Sequence, residues 1–256
     1  MDHNNYLNPP IEEAICEFCF TSNDEWDLTI PGKLQVELGN EYTGKPRRQN
    51  SMSVGDQSLE SIRLKLEDEL NRVELVNEEG TRLIGVGKDN LSIHLLRPYH
   101  DISKYEIGGW EEFEKRITHA LKSYIQLTER EQIDWISVRY INKLVIPGKL
   151  VPLEEYLKCA LLEIDGLPQN YSAFFNRTQY DYDKNHALIL AYASLPSSNP
   201  RIKECLLDLD VIWHHHDTKP IGKKEILKII RTLHKHAGNA FEAIITDKAR
   251  ELFNAE

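Results

Sequence analysis

The sequence predicts an α+β protein in which a unit of the order β-α-β(3–4)-α occurs twice, with antiparallel sheets covered by helices. Three observations lead to this prediction. Short runs of alternating apolar residues recur along the 256 residues, and a long amphipathic helical pattern closes each half. The third observation is a literal repeat, because Ile30-Pro31-Gly32-Lys33-Leu34 returns as Ile146-Pro147-Gly148-Lys149-Leu150.

The first half begins with a strand at Ile11–Phe20, where β-branched, aromatic and other apolar residues dominate. A short helix is expected at residues 31–38, because proline suits the first turn of a helix. Residues 44–57 are polar and predict a loop or a weak edge strand. Residues 59–71 favour a strand because apolar residues alternate there, although their charged composition also suits a helix.

Turn residues divide the next part of the chain into a hairpin and a third strand. The turn Glu78-Glu79-Gly80 separates strands at residues 73–76 and 81–86, and Lys88-Asp89-Asn90 precedes a strand at residues 91–96. An amphipathic helix is predicted at residues 110–127, because apolar residues recur there at helical spacing: Trp110, Phe113, Ile117 and Leu121.

The second half repeats this order. We expect a strand at residues 135–146 and a helix at residues 153–164 with one apolar side. Residues 223–245 predict a long helix or a broken pair, because Gly238 interrupts the pattern. Further strands are expected between these helices at residues 172–182, 187–194 and 202–216.

The domain organisation follows from the repeat. After a tail of residues 1–10, the halves at residues 11–128 and 134–256 are expected to form one compact unit. His100-Asp101 also returns as His216-Asp217, and these two pairs are as far apart in the chain as the two copies of the first repeat. The alternative explanation of the first repeat is that Ile-Pro-Gly simply suits the end of a strand and the start of a helix. Two such sheets would join edge to edge or face to face. The arrangement resembles the saddle-shaped TATA-box-binding-protein-like architecture, a likeness that carries no function.

Composition narrows the classes of function. The chain has 31 Lys and Arg against 41 Asp and Glu, a formal charge of −10, which weighs against a general binder of nucleic acid or anionic membranes. No apolar run approaches the roughly 18 residues of a membrane helix, and the polar N-terminal residues do not predict a secretory signal. Four cysteines are too few for a disulfide framework, so a cytoplasmic location is expected.

The stretch Trp213-His214-His215-His216-Asp217 is the most suggestive of chemistry. On a strand, Asp208, Asp210, His214 and His216 would share one face, and such groups can bind Zn²⁺ or act in acid–base catalysis. Side chains two residues apart are about 7 Å apart, which is wide for one ion. A solvated strand end is therefore favoured, with His214 and His216 as candidate ligand or partner contacts.

Two further candidates lie on the presumed central strand of the second half, Arg139 on one face and Asn142 on the other. An arginine in a central strand needs a carboxylate partner. We expect Arg139 to pair with Glu13 or Glu17 on the first strand, and contact with an anionic ligand or a partner is the alternative.

An aromatic-rich part of the second sheet is another candidate surface. Arg177 and Lys184 interleave with five aromatic residues, a pattern that can stack bases: Phe174, Phe175, Tyr180, Tyr182 and Tyr192. The acidic balance of the chain favours core packing and a surface for a protein partner instead, with Arg177 as a partner contact.

Other motifs argue against common enzyme classes. Cys16 and Cys19 match a redox or metal pair, but on a strand they point to opposite faces, which favours a structural role. The sequence has no GxxxxGK[ST], GxGxxG, GxSxG or HExxH motif. We predict no catalytic residue, no metal site and no cofactor.

Several motifs along nearly the whole chain also resemble those of a known family. They are Asn8-Pro9-Pro10-Ile11-Glu12-Glu13-Ala14 with Glu17-Phe18, Ile30-Pro31-Gly32, Arg97-Pro98-Tyr99 leading to Gly109-Trp110-Glu111-Glu112-Phe113, and Arg139-Tyr140-Ile141-Asn142. Together they resemble a sporadically distributed family of prokaryotic proteins of about 250 residues. The resemblance implies patchy occurrence, as of mobile or accessory genes, and brings no activity or catalytic residues.

The leading hypothesis is a non-enzymatic binding protein that recognises another protein in a mobile-element or defence-linked setting. Nucleic acid and membranes are not expected partners, and a homodimer fits the prediction. Two alternatives stay open. One is a metal-assisted hydrolase that uses Asp208, Asp210, His214 and His216, and the other is a binder of nucleic acid or nucleotides that uses the aromatic sheet and Arg139.

Overall fold

The structure of the chain is a computed structural model. It describes residues 6–21, 27–48, 72–99, 108–148, 153–158, 173–197, 199, 201–217 and 219–254. These residues have mixed α and β content, which confirms the predicted α+β class.

Within the described residues, nine strands form one antiparallel sheet in the order β2-β3-β4-β5-β1-β6-β9-β8-β7. The strands are β1 (Ile11–Phe20), β2 (Arg47–Arg48), β3 (Val73–Val76), β4 (Arg82–Val86), β5 (Asn90–Leu96), β6 (Ile133–Pro147), β7 (Phe175–Asp181), β8 (His186–Leu195) and β9 (Ile202–His214). β1 and β6 pair in the middle, so the early and late parts of the chain share one hydrogen-bonded sheet.

The long helices cover one face of this sheet. The helices are α1 (Ile30–Glu37), α2 (Gly109–Thr128), α3 (Lys223–Ile244) and α4 (Asp247–Asn254). Phe20 of β1 packs against Tyr124 of α2, and Tyr140 of β6 bonds to His234 of α3. Since Ala14 and Tyr140 are register partners and Phe20 lies on the face of Ala14, both helices lie on what we call the helix-covered face.

Most of the apolar positions that the sequence assigned to α2 are part of the core. In α2, Phe113, Ile117 and Leu121 are buried, and Trp110 is half-buried. α3 is one continuous helix that passes through Gly238. A glycine inside a helix costs about 1 kcal/mol, which the buried apolar side of this helix offsets.

One predicted helix is wrong where the structure describes it. Residues 153–164 were expected to be helical, but Leu153–Glu155 form a single 3-10 turn. The backbone that follows bonds to the end of α3 instead, with Lys158 N–H donating to the Ile244 carbonyl at 2.7 Å and Thr246 N–H donating to the Tyr156 carbonyl at 3.0 Å. Residues 159–164 lie outside the described part of the chain.

Several other predictions fall on residues that the structure does not describe. These are the strand at residues 59–71, most of the loop at residues 44–57, the repeat element His100-Asp101 and residues 1–5 of the tail. Among the described residues, no helix has the length and apolar character needed to cross a membrane.

Candidate functional site

The histidine-rich end of the sheet borders a cleft with a cavity volume of about 350 Å³. The cleft lies between the end of β9, the β7–β8 turn and the first turns of α3, and we call it the histidine cleft. Its walls contain three imidazoles, two lysines, two carboxylates and an apolar portion that includes an indole: His186, His215, His216, Lys184, Lys228, Asp217, Glu225, Trp213, Ile221 and Ile229. Its volume falls in the range of small-ligand sites.

The β7–β8 turn is held in place by Asp183. Its carboxylate accepts hydrogen bonds from the backbone N–H groups of Asn185 and His186, at 2.7 and 2.9 Å, and contacts His186 Nδ1 at 3.0 Å. The backbone bond from Asn185 and the bond from the His186 side chain lower the pKa of Asp183 to about 2. Asn185 Nδ2 also donates to the His214 carbonyl at 2.8 Å, which fixes the turn against the end of β9.

The imidazoles of His215 and His216 are oriented by backbone carbonyls. His215 Nε2 lies 2.8 Å from the carbonyl oxygen of Lys219, and His216 Nε2 lies 3.0 Å from that of Lys184. Because a carbonyl only accepts hydrogen bonds, each Nε2 carries the proton. The His215 ring also stacks on Trp213, with centroids 5.2 Å apart. In both rings Nδ1 is therefore the nitrogen left to contact a ligand.

The N-terminus of α3 places charges of both signs beside the cleft. Gly222 is the N-cap residue and provides no side-chain cap, and Lys223 and Lys224 occupy the first turn. A helix N-terminus carries partial positive charge, and Glu225 in the same turn is the acidic residue that offsets it. Lys228 lies one turn further along and contacts Glu225 at 3.6 Å.

The structure does not bring together the four residues of the metal-hydrolase alternative as a metal site. Asp208 and Asp210 lie in the middle of β9, His214 lies exposed at its end, and His216 follows in the wall of the cleft. Within the described residues, no group of three or more histidine, cysteine, aspartate or glutamate side chains is placed to hold a metal ion.

Arg139 lies on the face of the sheet opposite the helices and pairs with a carboxylate as expected, but that carboxylate is on β9 and not on the first strand. Its Nε and Nη2 donate to the two carboxylate oxygens of Asp208 at 2.8 and 2.5 Å. Glu13 instead contacts His94, and Glu17 accepts a hydrogen bond from Arg72. β9 was not assigned as a neighbour of β6 from the sequence, and it supplies a carboxylate in the geometry that suits a guanidinium.

Asp210 lies beside this ion pair as the register partner of Arg139. Burial raises the pKa of Asp210 to about 6, and the negative charges of Asp208 and Glu17 add to the effect, while Arg139 opposes it. Its Oδ1 is shielded from solvent and has no hydrogen-bond partner among the described residues.

Asn142 and Arg177, two further predicted contact residues, are not part of the lining of the histidine cleft. Asn142 is 1% exposed, and its amide donates to the carbonyls of Tyr140 and Leu207 at 3.2 Å each, so it is part of the sheet interior. Arg177 lies exposed on β7, the terminal strand of the sheet. Of the five candidate contact residues, His216 lines the cleft. The His214 ring stacks on the His216 ring, with ring centroids 6.4 Å apart.

Sequence reasoning missed His186 and Lys228 as cleft residues. A signal for His186 was present, because Asp183 followed by Asn185 between two strands is typical of a tight turn with side-chain bonds to the backbone. Lys228 had no such signal, because only the packing of α3 against β9 brings it to the cleft. Comparison with known proteins adds no assignment: no protein-family model matches the chain, and no curated protein matches it.

Proposed function

We propose that this protein is a non-enzymatic recognition protein that binds an acidic segment of another protein in the histidine cleft. The observation that carries the proposal is the cleft of ligand size beside the N-terminus of α3, where Lys184 and Lys228 line the cavity and the helix has no side-chain cap. The two lysines of the lining equal its two carboxylates in a chain whose formal charge is −10, so the cleft is less acidic than the chain as a whole.

The groups around the cleft suit a carboxylate-bearing segment. Residues 217–228 contain four lysines against two acidic residues. Lys184 and Lys228 extend from opposite walls, the β7–β8 turn and α3, so an acidic side chain between them would meet a cation on each side. Trp213, Ile221 and Ile229 offer apolar contact to the rest of the segment.

We also propose that the chain contains an internal duplication and has the saddle-shaped architecture described above. The strand order supports them, because β1 and β6 lie side by side at the centre and each is flanked by the last strand of its own half, β5 and β9. From the resemblance described above, we also propose that the partner is encoded in a mobile-element or defence-linked locus.

A binding measurement with a defined acidic peptide tests the cleft. The probe is fluorescein-labelled octaglutamate, followed by fluorescence anisotropy, with octalysine as the opposite-charge control. Charge reversal of both cleft lysines, Lys184→Glu with Lys228→Glu, is expected to weaken octaglutamate binding roughly tenfold or more, about 1.4 kcal/mol. The matched control reverses two exposed lysines of α2, Lys115→Glu with Lys122→Glu.

Equal weakening by the two double variants would show that only net charge matters, and it would contradict the proposed site. Absence of octaglutamate binding would contradict it as well. A salt-dependent shift with a single-stranded oligonucleotide that exceeds the shift with the peptide would favour the nucleic-acid alternative. The natural partner is then sought by affinity capture from the native host, with the cleft double variant as the control bait.

A further inference from the structure

Among the described strands, β7 ends the sheet and presents an open edge. It is the last strand in the sheet order and pairs with β8 alone among the described strands. Phe175 and Tyr180 are each 51% exposed. The pairing with β8 has no register shift, and the strand contains no proline, so β7 has neither of two features that commonly protect an edge from pairing.

The backbone of β7 determines which residues face outward. Ser194 N–H donates to the Phe174 carbonyl at 3.1 Å, and Tyr182 N–H donates to the His186 carbonyl at 2.9 Å. In an antiparallel ladder, residues alternate in the side to which both backbone groups point. Even-numbered residues therefore bond to β8, and Phe175, Arg177, Gln179 and Asp181 direct their N–H and carbonyl groups away from the sheet.

We propose that this edge binds the same edge of a second copy of the chain, antiparallel, about a twofold axis through Gln179. Arg177 then lies directly opposite Asp181 of the partner subunit, and the symmetry makes this pair twice. The two residues are four apart and share the face opposite the helices, so both pairs form on one side of the joined sheet. Thr178 lies opposite Tyr180 of the partner subunit on the other side.

The charges favour this register over the register centred on Thr178. If the axis moves to Thr178, Arg177 lies opposite Gln179 of the partner subunit and Asp181 lies opposite Phe175 of the partner subunit, so neither charge meets its complement directly. In the single chain, Asp181 accepts a hydrogen bond from the Gln179 amide at 2.9 Å. No carboxylate of the described residues forms an ion pair with Arg177. Both charges are thus placed to pair across the axis.

Sedimentation equilibrium of the full chain over a range of concentrations tests the proposal. The wild type is expected to show a monomer–dimer equilibrium. Arg177→Asp alone and Asp181→Arg alone, which place like charges opposite each other, are each expected to raise the dimer dissociation constant roughly tenfold or more. The double variant restores opposite charges and is expected to return to within about threefold of the wild type.

A proline variant separates edge pairing from surface charge. Gln179→Pro removes an outward N–H group at the axis, while the hydrogen bonds of Thr178 and Tyr180 to β8 do not involve it, so a folded monomer is expected. Far-UV circular dichroism and the urea midpoint check folding. The register is checked by Gln179→Cys, which is expected to form a reducible covalent dimer, with Gln179→Ser as the control for the native cysteines.

A wild type that stays monomeric at every concentration overturns the proposal. So does a dimer that is indifferent to both single charge reversals, or one that the double variant fails to restore. Octaglutamate binding at the histidine cleft is a separate measurement, so either proposal can fail without the other.

Discussion

The indole of Trp110 lies flat against the imidazole of His234, with ring centroids 3.8 Å apart and planes 4° apart. His234 Nδ1 also contacts the Tyr140 hydroxyl at 2.8 Å. This histidine therefore joins α2, α3 and the central strand β6 at one point. Arg231 of α3 and Glu114 of α2 form a second link between the same helices, at 2.8 and 2.6 Å.

His234→Ala is expected to lower the free energy of unfolding by about 2 kcal/mol, because it removes the stacked ring and leaves a buried tyrosine hydroxyl with one partner fewer. Urea denaturation followed by circular dichroism measures the loss. His119→Ala on the exposed side of α2 is the control and is expected to change stability by less than about 0.5 kcal/mol. Equal effects in the two variants would contradict the assigned role.

The Arg82–Glu112 pair is expected to be the most sensitive ion pair to single substitution. Its side chains are 2% and 9% exposed, and two bonds of 3.0 Å join them between β4 and α2. Glu112→Leu alone strands a buried guanidinium and is expected to cost about 3–5 kcal/mol, again by urea denaturation. Arg82→Met with Glu112→Leu is expected to recover most of the loss. A double variant as unstable as the single one would contradict this.

Asp210 is expected to make stability fall as pH rises from about 4 to about 6. Its pKa is about 6 in the folded chain, above the ordinary value of 3.8, so the folded state holds this proton more tightly than the unfolded state. The stabilising contribution of the protonated Asp210 is complete at pH values below the ordinary pKa of aspartate, and it is lost as pH rises through about 6. Asp210→Asn should gain stability relative to the wild type over this window, by about 3 kcal/mol at about 1.4 kcal/mol per pKa unit.

The measurement is urea denaturation of both proteins at intervals from acidic to neutral pH. Asp183 provides a control of opposite sign, because its pKa is lowered to about 2. Asp183→Asn should lose stability relative to the wild type at neutral pH, and the difference should shrink as pH falls below about 4. A stability difference between Asp210→Asn and the wild type that does not vary with pH would contradict the assignment.

Asn142 is expected to act on stability and not on binding. Its amide bonds to two backbone carbonyls inside the sheet, so Asn142→Ala should cost about 1–3 kcal/mol. Octaglutamate affinity of the folded variant should equal that of the wild type within about twofold. Lower octaglutamate affinity in a variant of unchanged stability would contradict this prediction and would indicate that Asn142 contacts the ligand.

The periodic spacing of apolar residues predicted much of the fold, because burial of one side of a strand or helix imposes that spacing. The strand at Ile11–Phe20 was predicted with the bounds it has, and three of the four predicted apolar positions of α2, Phe113, Ile117 and Leu121, are buried. The helix expected from residue 153 is absent in the described residues 153–158, because non-local bonds to Ile244 and Thr246 outweigh a locally helical pattern. Local sequence contains no information about such a distant partner.

The candidate site was predictable only in part. The histidine run marked one wall of the cleft, since its composition is unusual along the chain itself. The partner of Arg139 depends on β6 pairing with β9, and the position of Lys228 depends on how α3 packs. Both are relations between elements, which one sequence without its folded neighbours does not specify.

The pairing of β1 with β6 has a consequence for chain cleavage. The link between α2 and β6 is short, and Glu129 ends α2 in a left-handed conformation with φ 55°. A cut in that link would leave β1 paired with β5 in one fragment and β6 paired with β9 in the other, and would expose one edge of each strand. The two fragments should then re-form the native sheet when mixed, so the protein is suited to use as a split reporter whose reassembly depends on nine matched backbone positions.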